Sequence, residues 1–193
     1  MFDGVSQEVP WAWYMVRSAG LVGFLLLYIS VILGLMIRVP YIRKLVSGQI
    51  SFQMHCWLSL LAWILALLHG SGLLFDKYLK FSFADVFVPF SSGYETNLVS
   101  LGIIGFYLML LLVVTSYVKN MVANSFWRAV HFLNMGMYFI LAIHALYLGS
   151  DMKIELVRNI FWGMQGVLVI FIILHIIARI SCRVRKSQEC EIQ

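Results

Sequence analysis

Five apolar stretches, each long enough to cross a lipid bilayer, constrain the fold of this chain more than any other feature. A hydrocarbon core of about 30 Å requires about 20 helical residues. Backbone groups in lipid must be hydrogen-bonded within the segment, and the sequence lacks the alternating pattern of a β-barrel, so helices are predicted. The predicted spans lie near residues 13–37, 52–75, 97–118, 126–149 and 158–181.

The composition agrees with a membrane protein. Of the 193 residues, 62% are hydrophobic and 12% are charged, whereas a soluble domain is about 45–50% apolar and about 25% charged. A soluble fold of this size could not bury so much apolar surface. Soluble enzymes, disordered chains and disulfide-stapled secreted modules are excluded. We expect an all-α membrane protein, a bundle of five transmembrane helices that forms a single domain over residues 1–193.

Basic residues gather on one side of the predicted bundle, between spans one and two, between spans three and four, and after span five. They are Arg38, Arg43, Lys44, Lys119, Arg128, Arg179, Arg183, Arg185 and Lys186. On the other side, Lys77, Lys80, Lys153 and Arg158 stand among seven acidic residues. The positive-inside rule then predicts an outer N-terminus and a cytoplasmic C-terminus. Because the positive charge is explained by orientation, no nucleic-acid partner is expected.

The connection over residues 76–96 is too polar to span the membrane and too rich in aromatic residues for a free linker. Two interpretations remain open at this stage. The segment either anchors the chain at the membrane interface, where aromatic side chains are favoured, or folds over the bundle as a lid. The lid interpretation is slightly favoured.

All five histidines fall within the predicted spans or at their edges: His55, His69, His131, His144 and His175. An ionisable residue in a membrane helix is costly and therefore a functional candidate. A single histidine could equally be a packing residue, so the pattern matters more than the count.

The histidine spacing is informative. His55 and His69 are 14 residues apart on the second span, which is about 21 Å along a helix and returns to roughly the same side. His131 and His144 are 13 apart on the fourth span, about 19–20 Å. The two spans run in the same direction, so the histidines form two level-matched pairs. Two facing imidazoles can hold the iron of a haem, whereas zinc prefers four protein ligands.

One detail of the fourth span conflicts with this pairing. Thirteen ideal helical steps rotate by about 220°, which would turn His131 and His144 to different sides of a straight helix. Helix tilt, a local tightening of the helix, or a distortion near Gly136 would each reconcile them.

Three segments resemble the ferric reductase-like transmembrane domain, a family that includes NADPH oxidases, ferric reductases and the haem subunits of bacterial methionine-sulfoxide reductases. The segment LALLHG, which ends at Gly70, resembles the end of the first ligand helix. Residues 81–117 resemble the outer loop and following helix of bacterial members. Residues 125–151 resemble the second ligand helix, with W-x-x-x-H at its start and H-x-x-x-x-G-x-D at its end.

The resemblance implies the site residues. His55 and His131 would ligate an inner haem b, and His69 and His144 an outer haem b. Arg17 matches a family arginine close to the outer haem, where it would contact a propionate or an acceptor; snorkelling to the interface is the equal alternative. His175 matches no ligand, and a packing or propionate contact is expected for it.

The implied function is electron transfer across the membrane, from a cytoplasmic or quinol donor to ferric iron, oxygen or a redox partner protein at the outer face. No Rossmann glycine motif occurs in the sequence, so the chain is not expected to bind FAD or NAD(P)H, and a separate flavoprotein reductase or a quinol would donate. The resemblance suggests a prokaryotic inner membrane. The alternatives are a histidine-lined proton or metal-ion transporter and a structural membrane subunit.

Overall fold

A computed structural model describes residues 11–37, 47–77 and 79–191, with side chains as far as Ser181. Within these ranges the chain forms helices and no strand. The α-helices are α1 (Trp11–Met36), α2 (Gly48–Gly72), α3 (Phe83–Phe87), α4 (Thr96–Tyr117), α5 (Asn124–Phe132), α6 (Asn134–Leu148) and α7 (Glu155–Glu191). Short 3₁₀ turns occur at Leu73–Phe75, Lys119–Met121 and Ser150–Lys153.

The predicted bundle of five transmembrane helices is confirmed. Five helical segments of the described chain are long and apolar enough to span a membrane: Trp11–Met36, Gly48–Phe75, Thr96–Tyr117, Asn124–Leu148 and Glu155–Ser181. They overlap the predicted spans, although α7 continues ten residues beyond the predicted end at 181. Three of the basic residues that predict the orientation, Arg38, Arg43 and Lys44, lie outside the described residues. The orientation therefore stays a prediction.

Large apolar side chains cover the outward faces of these helices. On α7, for example, Ile160 and Ile170 are 55% and 57% exposed. In water such a surface would be unfavourable, but lipid tails solvate it without cost. The exposure pattern is that of helices that face hydrocarbon.

Contacts between Cα atoms divide the chain into two compact units. The described part of the first comprises residues 11–24, 63–77 and 79–150, and that of the second comprises residues 25–37, 47–62 and 151–191. The boundary between the units divides α1 and α2, so that each of these helices has one part in the first unit and the other part in the second. His69, His131 and His144 belong to the first unit, and His55 and His175 to the second.

In the first unit, α4 packs along α6. Close approach depends on Gly105 of α4, because a Cβ atom there would overlap the side chain of Leu141 on α6. Tyr138 of α6 is fully buried, and its ring lies 5.6 Å from that of Phe24 on α1. Small residues that let backbones approach are typical of helix contacts in membranes.

The fourth predicted span consists of two helices instead of one. α5 ends at Phe132 and α6 begins at Asn134, with a break at Leu133. There the N–H group of Leu133 donates to the carbonyl of Val130, 3.0 Å away and three residues back. Such a tight step rotates by about 120° per residue instead of about 100°. The structure therefore contains a local tightening between His131 and His144, located three residues before Gly136.

The described residues of the segment 76–96 pack against α2 and α4 within the first unit. Val86 of α3 is buried, and its Cγ1 atom would lie 3.5 Å from a Cβ atom on Gly70, the residue after His69. The hydroxyl of Tyr107 on α4 donates to the carbonyl of Phe87 (2.9 Å), and the N–H group of Phe90 donates to Ser100 Oγ (2.7 Å). This segment covers the end of α2 next to His69, which favours the lid interpretation.

A capping box begins α3. The hydroxyl and the N–H group of Ser82 donate to the carboxylate of Asp85, and the N–H group of Asp85 donates to Ser82 Oγ. Both bonds from Ser82 lower the pKa of the exposed Asp85 carboxyl group, because they stabilise its charged form. The box fixes where the helical turn of the segment begins.

In the second unit, the buried side chains of α1 and α2 include polar as well as apolar residues. Leu27, Ser30, Val31 and Leu35 of α1 are buried, as are Ser51 and Ala62 of α2. Ser30 is only 1% exposed. A buried hydroxyl in a membrane helix requires a hydrogen-bond partner, and this one lies at His55.

Candidate functional site

His69 is held by a hydrogen bond to the main chain of α1. Its Nδ1 atom lies 2.8 Å from the carbonyl oxygen of Val16. Because a carbonyl can only accept, the proton must be on Nδ1. A neutral His69 ring then carries its lone pair on Nε2, which is the form that ligates a metal ion.

His144 is held in the same way by α4. Its Nδ1 atom donates to the carbonyl oxygen of Leu98, also at 2.8 Å. The lone pair of this ring is again on Nε2. Hydrogen bonds of this kind orient the histidine ligands of metal sites and make them better donors.

The rings of His69 and His144 lie close together within the first unit. Their centroids are 6.3 Å apart and their planes cross at 89°. A ring nitrogen lies about 1.1 Å from its centroid, and a metal–imidazole bond is about 2.0 Å long, so two imidazoles on opposite sides of one ion have centroids about 6.2 Å apart. At this spacing, His69 and His144 would be able to hold one iron between them.

A planar macrocycle supplies the other four ligands of a six-coordinate iron, so two histidines form a sufficient donor set for haem. Among the described residues, no three His, Cys, Asp or Glu side chains form a group that would hold a metal ion by themselves. The donor chemistry of His69 and His144 fits haem b.

His55 lies in the second unit within a small serine network. Its Nδ1 atom donates to the carbonyl of Ser30 (2.8 Å) and lies 2.9 Å from the Ser30 hydroxyl. The hydroxyl of Ser59, one turn further along α2, donates to the carbonyl of His55 and lies 2.7 Å from Ser30 Oγ. Here too the lone pair of the neutral ring is on Nε2.

His131 has a different environment in the first unit. Its ring stacks on Trp127, one helical turn earlier on α5, with centroids 4.9 Å apart and planes at 20°. The ammonium group of Lys119 lies 4.4 Å from the centroid of the Trp127 ring. A cation over an indole face is attracted by the ring quadrupole. His55 and His131 belong to different units, so their pairing stays a sequence-based prediction.

The sequence model of the family described as "Ferric reductase like transmembrane component" matches residues 19–143. The chain belongs to the ferric reductase-like transmembrane family. The matched range includes His55, His69 and His131 and ends one residue before His144. Comparison with curated proteins and with solved structures gives no match. Membership of the ferric reductase-like family indicates a transmembrane redox function and is consistent with oxidoreductase activity.

Arg17 and His175 are the remaining candidate site residues of this ferric reductase-like chain. Arg17 is half-buried on α1, and its guanidinium carbon lies 4.0 Å from the centroid of the Trp13 ring. It follows Val16, whose carbonyl accepts from His69. The predicted contact of Arg17 with a haem or an acceptor stays a prediction. His175 is half-buried on α7 in the second unit.

The histidine supports were not predicted from the sequence. The carbonyl groups of Val16 and Leu98 are main-chain atoms, which the residue type does not reveal. The sequence gives a weak indication at Ser30 and Ser59, because a serine hydroxyl within an apolar span requires a hydrogen-bond partner. Only the packing of α1 against α2 shows that the partner is His55.

Proposed function

We propose that this chain is a bis-histidine, di-haem b membrane cytochrome that carries electrons across the membrane. His69 and His144 would ligate one haem, and His55 and His131 are assigned to the second. Electrons would pass from a cytoplasmic or quinol donor to an acceptor at the opposite face. The acceptor class comprises ferric iron, oxygen and a redox partner protein.

The geometry of His69 and His144 carries this proposal. The ring centroids are 6.3 Å apart, a separation at which both imidazoles would hold one iron, and both protons are held on Nδ1 by main-chain carbonyls. A transport relay would require neither a matched separation nor a fixed tautomer. This pair therefore supports haem ligation over proton or metal-ion transport.

The chain's own residues would bind and orient the cofactor. The carbonyl groups of Val16 and Leu98 hold the two imidazoles in place, so that little reorganisation is needed when an electron arrives. The spans that carry His69 and His144 are apolar, which lowers the dielectric at the site, and Val86 of the segment over residues 76–96 packs beside Gly70. A bound haem would supply the one-electron couple of its iron.

Electron delivery is assigned to another component. The 193 residues contain no Rossmann glycine motif that would bind a dinucleotide. We therefore propose that a flavoprotein reductase or a membrane quinol is the donor. This assignment rests on the sequence, and family membership makes a redox partner plausible.

Visible spectra of the purified full-length chain test the proposal. Oxidised and dithionite-reduced samples should show the Soret and α bands of low-spin haem b, and pyridine haemochrome analysis should give two haems per chain. A chain that carries no haem after expression with ample haem supply would overturn the cytochrome proposal. One haem per chain would overturn the assignment of two.

Histidine variants test the pairing. His69→Ala and His144→Ala should each remove about half of the haem, because either change leaves one axial ligand at the same site. His175→Ala serves as the matched control, since it removes a histidine from another helix that is assigned no ligand role. Equal loss from both sites, or no loss, would contradict the pairing of His69 with His144.

A further inference from the structure

We infer that Gly20, Gly34 and Gly102 are positioning residues, each of which lets a histidine ring lie in a fixed orientation against the helix that holds its Nδ1 proton. The inference deepens the proposed function and rests on it, because the orientation matters only if the histidines ligate haem. The three glycines contact His69, His55 and His144 respectively.

A repeated arrangement of carbonyl and glycine supports this inference. The carbonyl of Val16 accepts from His69, and Gly20 lies four residues later on α1. The carbonyl of Ser30 accepts from His55, and Gly34 again lies four residues later. The carbonyl of Leu98 accepts from His144, and Gly102 follows it by four residues on α4. These are the three pairs: Val16 with Gly20, Ser30 with Gly34, and Leu98 with Gly102.

The register of the pairs follows the register of the histidines. Gly20 and Gly34 are 14 residues apart on α1, as His55 and His69 are on α2. Each carbonyl and its glycine are about one helical turn apart, so they lie on the same face of their helix. We call such a pair a carbonyl–glycine cradle.

The absence of a side chain at each glycine is what makes room for the ring. A Cβ atom on Gly102 would lie 2.5 Å from Cε1 of His144, and one on Gly20 would lie 2.8 Å from Nδ1 of His69. Both distances are shorter than any ordinary contact. A Cβ atom on Gly34 would lie 3.3 Å from Cε1 of His55, which is tight but closer to van der Waals contact.

The cradle fixes the ring in two ways. The hydrogen bond to the carbonyl fixes the position of Nδ1, and the glycine allows the ring to lie directly against the helix. A methyl group on the glycine would force the ring to rotate or move outward, and either change would alter the angle between the planes of the paired imidazoles. We therefore expect glycine substitution to change the electronic structure of a bound haem.

The position on α4 that corresponds to a cradle for His131 carries a threonine instead of a glycine. α4 and α6 are antiparallel neighbours, so a count of 13 residues from the Leu98 cradle leads to Leu111 and Thr115 on α4. A threonine stands where the other cradles have glycine, and its hydroxyl donates to the carbonyl of Leu111 (2.7 Å). This position of α4 thus differs from the three cradles that hold His55, His69 and His144, and the ring of His131 stacks on Trp127.

Gly102→Ala is the most direct test. In the purified full-length chain, this variant should change the low-spin ferric EPR signal of one haem and shift the midpoint potential of that haem, while the other haem keeps its wild-type values. If the ring cannot adjust, that haem is lost, and total haem falls by about half. Apo- and haem-loaded fractions are counted separately, so the result does not depend on electron-transfer activity.

Two glycines provide matched controls. Gly105→Ala adds the same methyl group one turn further along α4, but that group meets Leu141 instead of a histidine. Gly136→Ala adds it on α6, where no described atom beyond the neighbouring residues and backbone of the same helix lies within 4 Å. Gly136→Ala should keep the wild-type EPR signal and potentials. Gly105→Ala measures the effect of separating α4 from α6 without a direct contact to a histidine, so its change at the haem of His144 should be smaller than that of Gly102→Ala.

If Gly102→Ala does not fold, Gly20 and Gly34 provide the test, because a Cβ atom at these positions would lie 2.8 Å and 3.3 Å from a histidine ring. Gly20→Ala should produce the same kind of change at the haem of His69, and Gly34→Ala a smaller one at the haem of His55. Wild-type EPR signals and potentials in Gly20→Ala and Gly102→Ala would overturn the cradle inference while leaving the cytochrome proposal intact. A wild-type chain without haem would instead overturn the proposed function.

Discussion

The imidazole rings of His69 and His144 are perpendicular, with their planes at 89° and their centroids 6.3 Å apart. A haem held by His69 and His144 in this arrangement would have two iron d orbitals of π symmetry that are nearly equal in energy, because the imidazole planes are perpendicular. We therefore predict that the ferric protein gives a strongly anisotropic low-spin EPR signal with an unusually large principal g-value. A haem signal with only the smaller g-values of parallel imidazole planes would contradict this geometry.

The Ser30 hydroxyl joins His55 to Ser59, and its removal should lower the free energy of unfolding. Ser30→Ala removes the hydroxyl but keeps the main-chain carbonyl that accepts from Nδ1. The loss of a buried hydrogen bond is expected to destabilise the chain by about 0.5–1.5 kcal/mol. Thermal or denaturant unfolding of the purified chain in detergent measures this difference.

Ser18→Ala is the control for that prediction, because the Ser18 hydroxyl is exposed on the same helix and bonds only within it, to Met15. It should change stability by less than about 0.5 kcal/mol. Equal effects of the two substitutions would show that the Ser30 network adds no stability.

The bundle could be predicted from the sequence because lipid imposes a simple rule on it. Stretches of about 20 predominantly apolar residues must form helices there, and the sequence contains five such stretches. The levels of the histidines also follow from the sequence, since the rise per residue of a helix is fixed. His69 and His144 illustrate this: their spacing from the other histidines places them together before any contact is known.

The orientation of the rings could not be predicted. It depends on a break at Leu133, a residue whose type gives no indication of a helix end, and on the carbonyl groups of Val16 and Leu98. Main-chain acceptors are present at every position of a sequence. Only tertiary packing decides which of them meets an imidazole.

The stack of Lys119, Trp127 and His131 places a positive charge close to one predicted ligand. A cation favours the reduced form of a nearby iron, so Lys119→Gln should lower the midpoint potential of the haem assigned to His131. The removal of one partly screened unit charge near that haem should change its midpoint potential by about 20–70 mV. Redox titration monitored in the α band measures the shift.

Lys80→Gln is the charge-matched control, since Lys80 belongs to the segment over residues 76–96 instead of the α4–α5 connection. The potential of the haem assigned to His131 should not change in this variant. If Lys119→Gln and Lys80→Gln shift that potential equally, the effect comes from net charge and not from the stack.

The capping box of α3 predicts how the segment over residues 76–96 responds to acid. Hydrogen bonds from Ser82 lower the pKa of Asp85 below its ordinary value, which is about 4. A carboxyl group with a lowered pKa in the folded state contributes its stabilisation above the unfolded value, and that contribution is lost as the pH falls through the lowered pKa. The α3 turn should therefore be protected at neutral pH and loosen progressively below about pH 4.

Hydrogen–deuterium exchange over residues 80–90, corrected for the intrinsic pH dependence, tests this expectation. Wild-type protection should fall as the solution is acidified, whereas Asp85→Asn should show weaker protection at neutral pH and little change on acidification. Glu155→Gln neutralises an acidic residue in the first turn of α7 and should leave the wild-type profile of this segment unchanged. If Asp85→Asn keeps the wild-type pH profile, the capping box does not control the segment that covers the His69 end of α2.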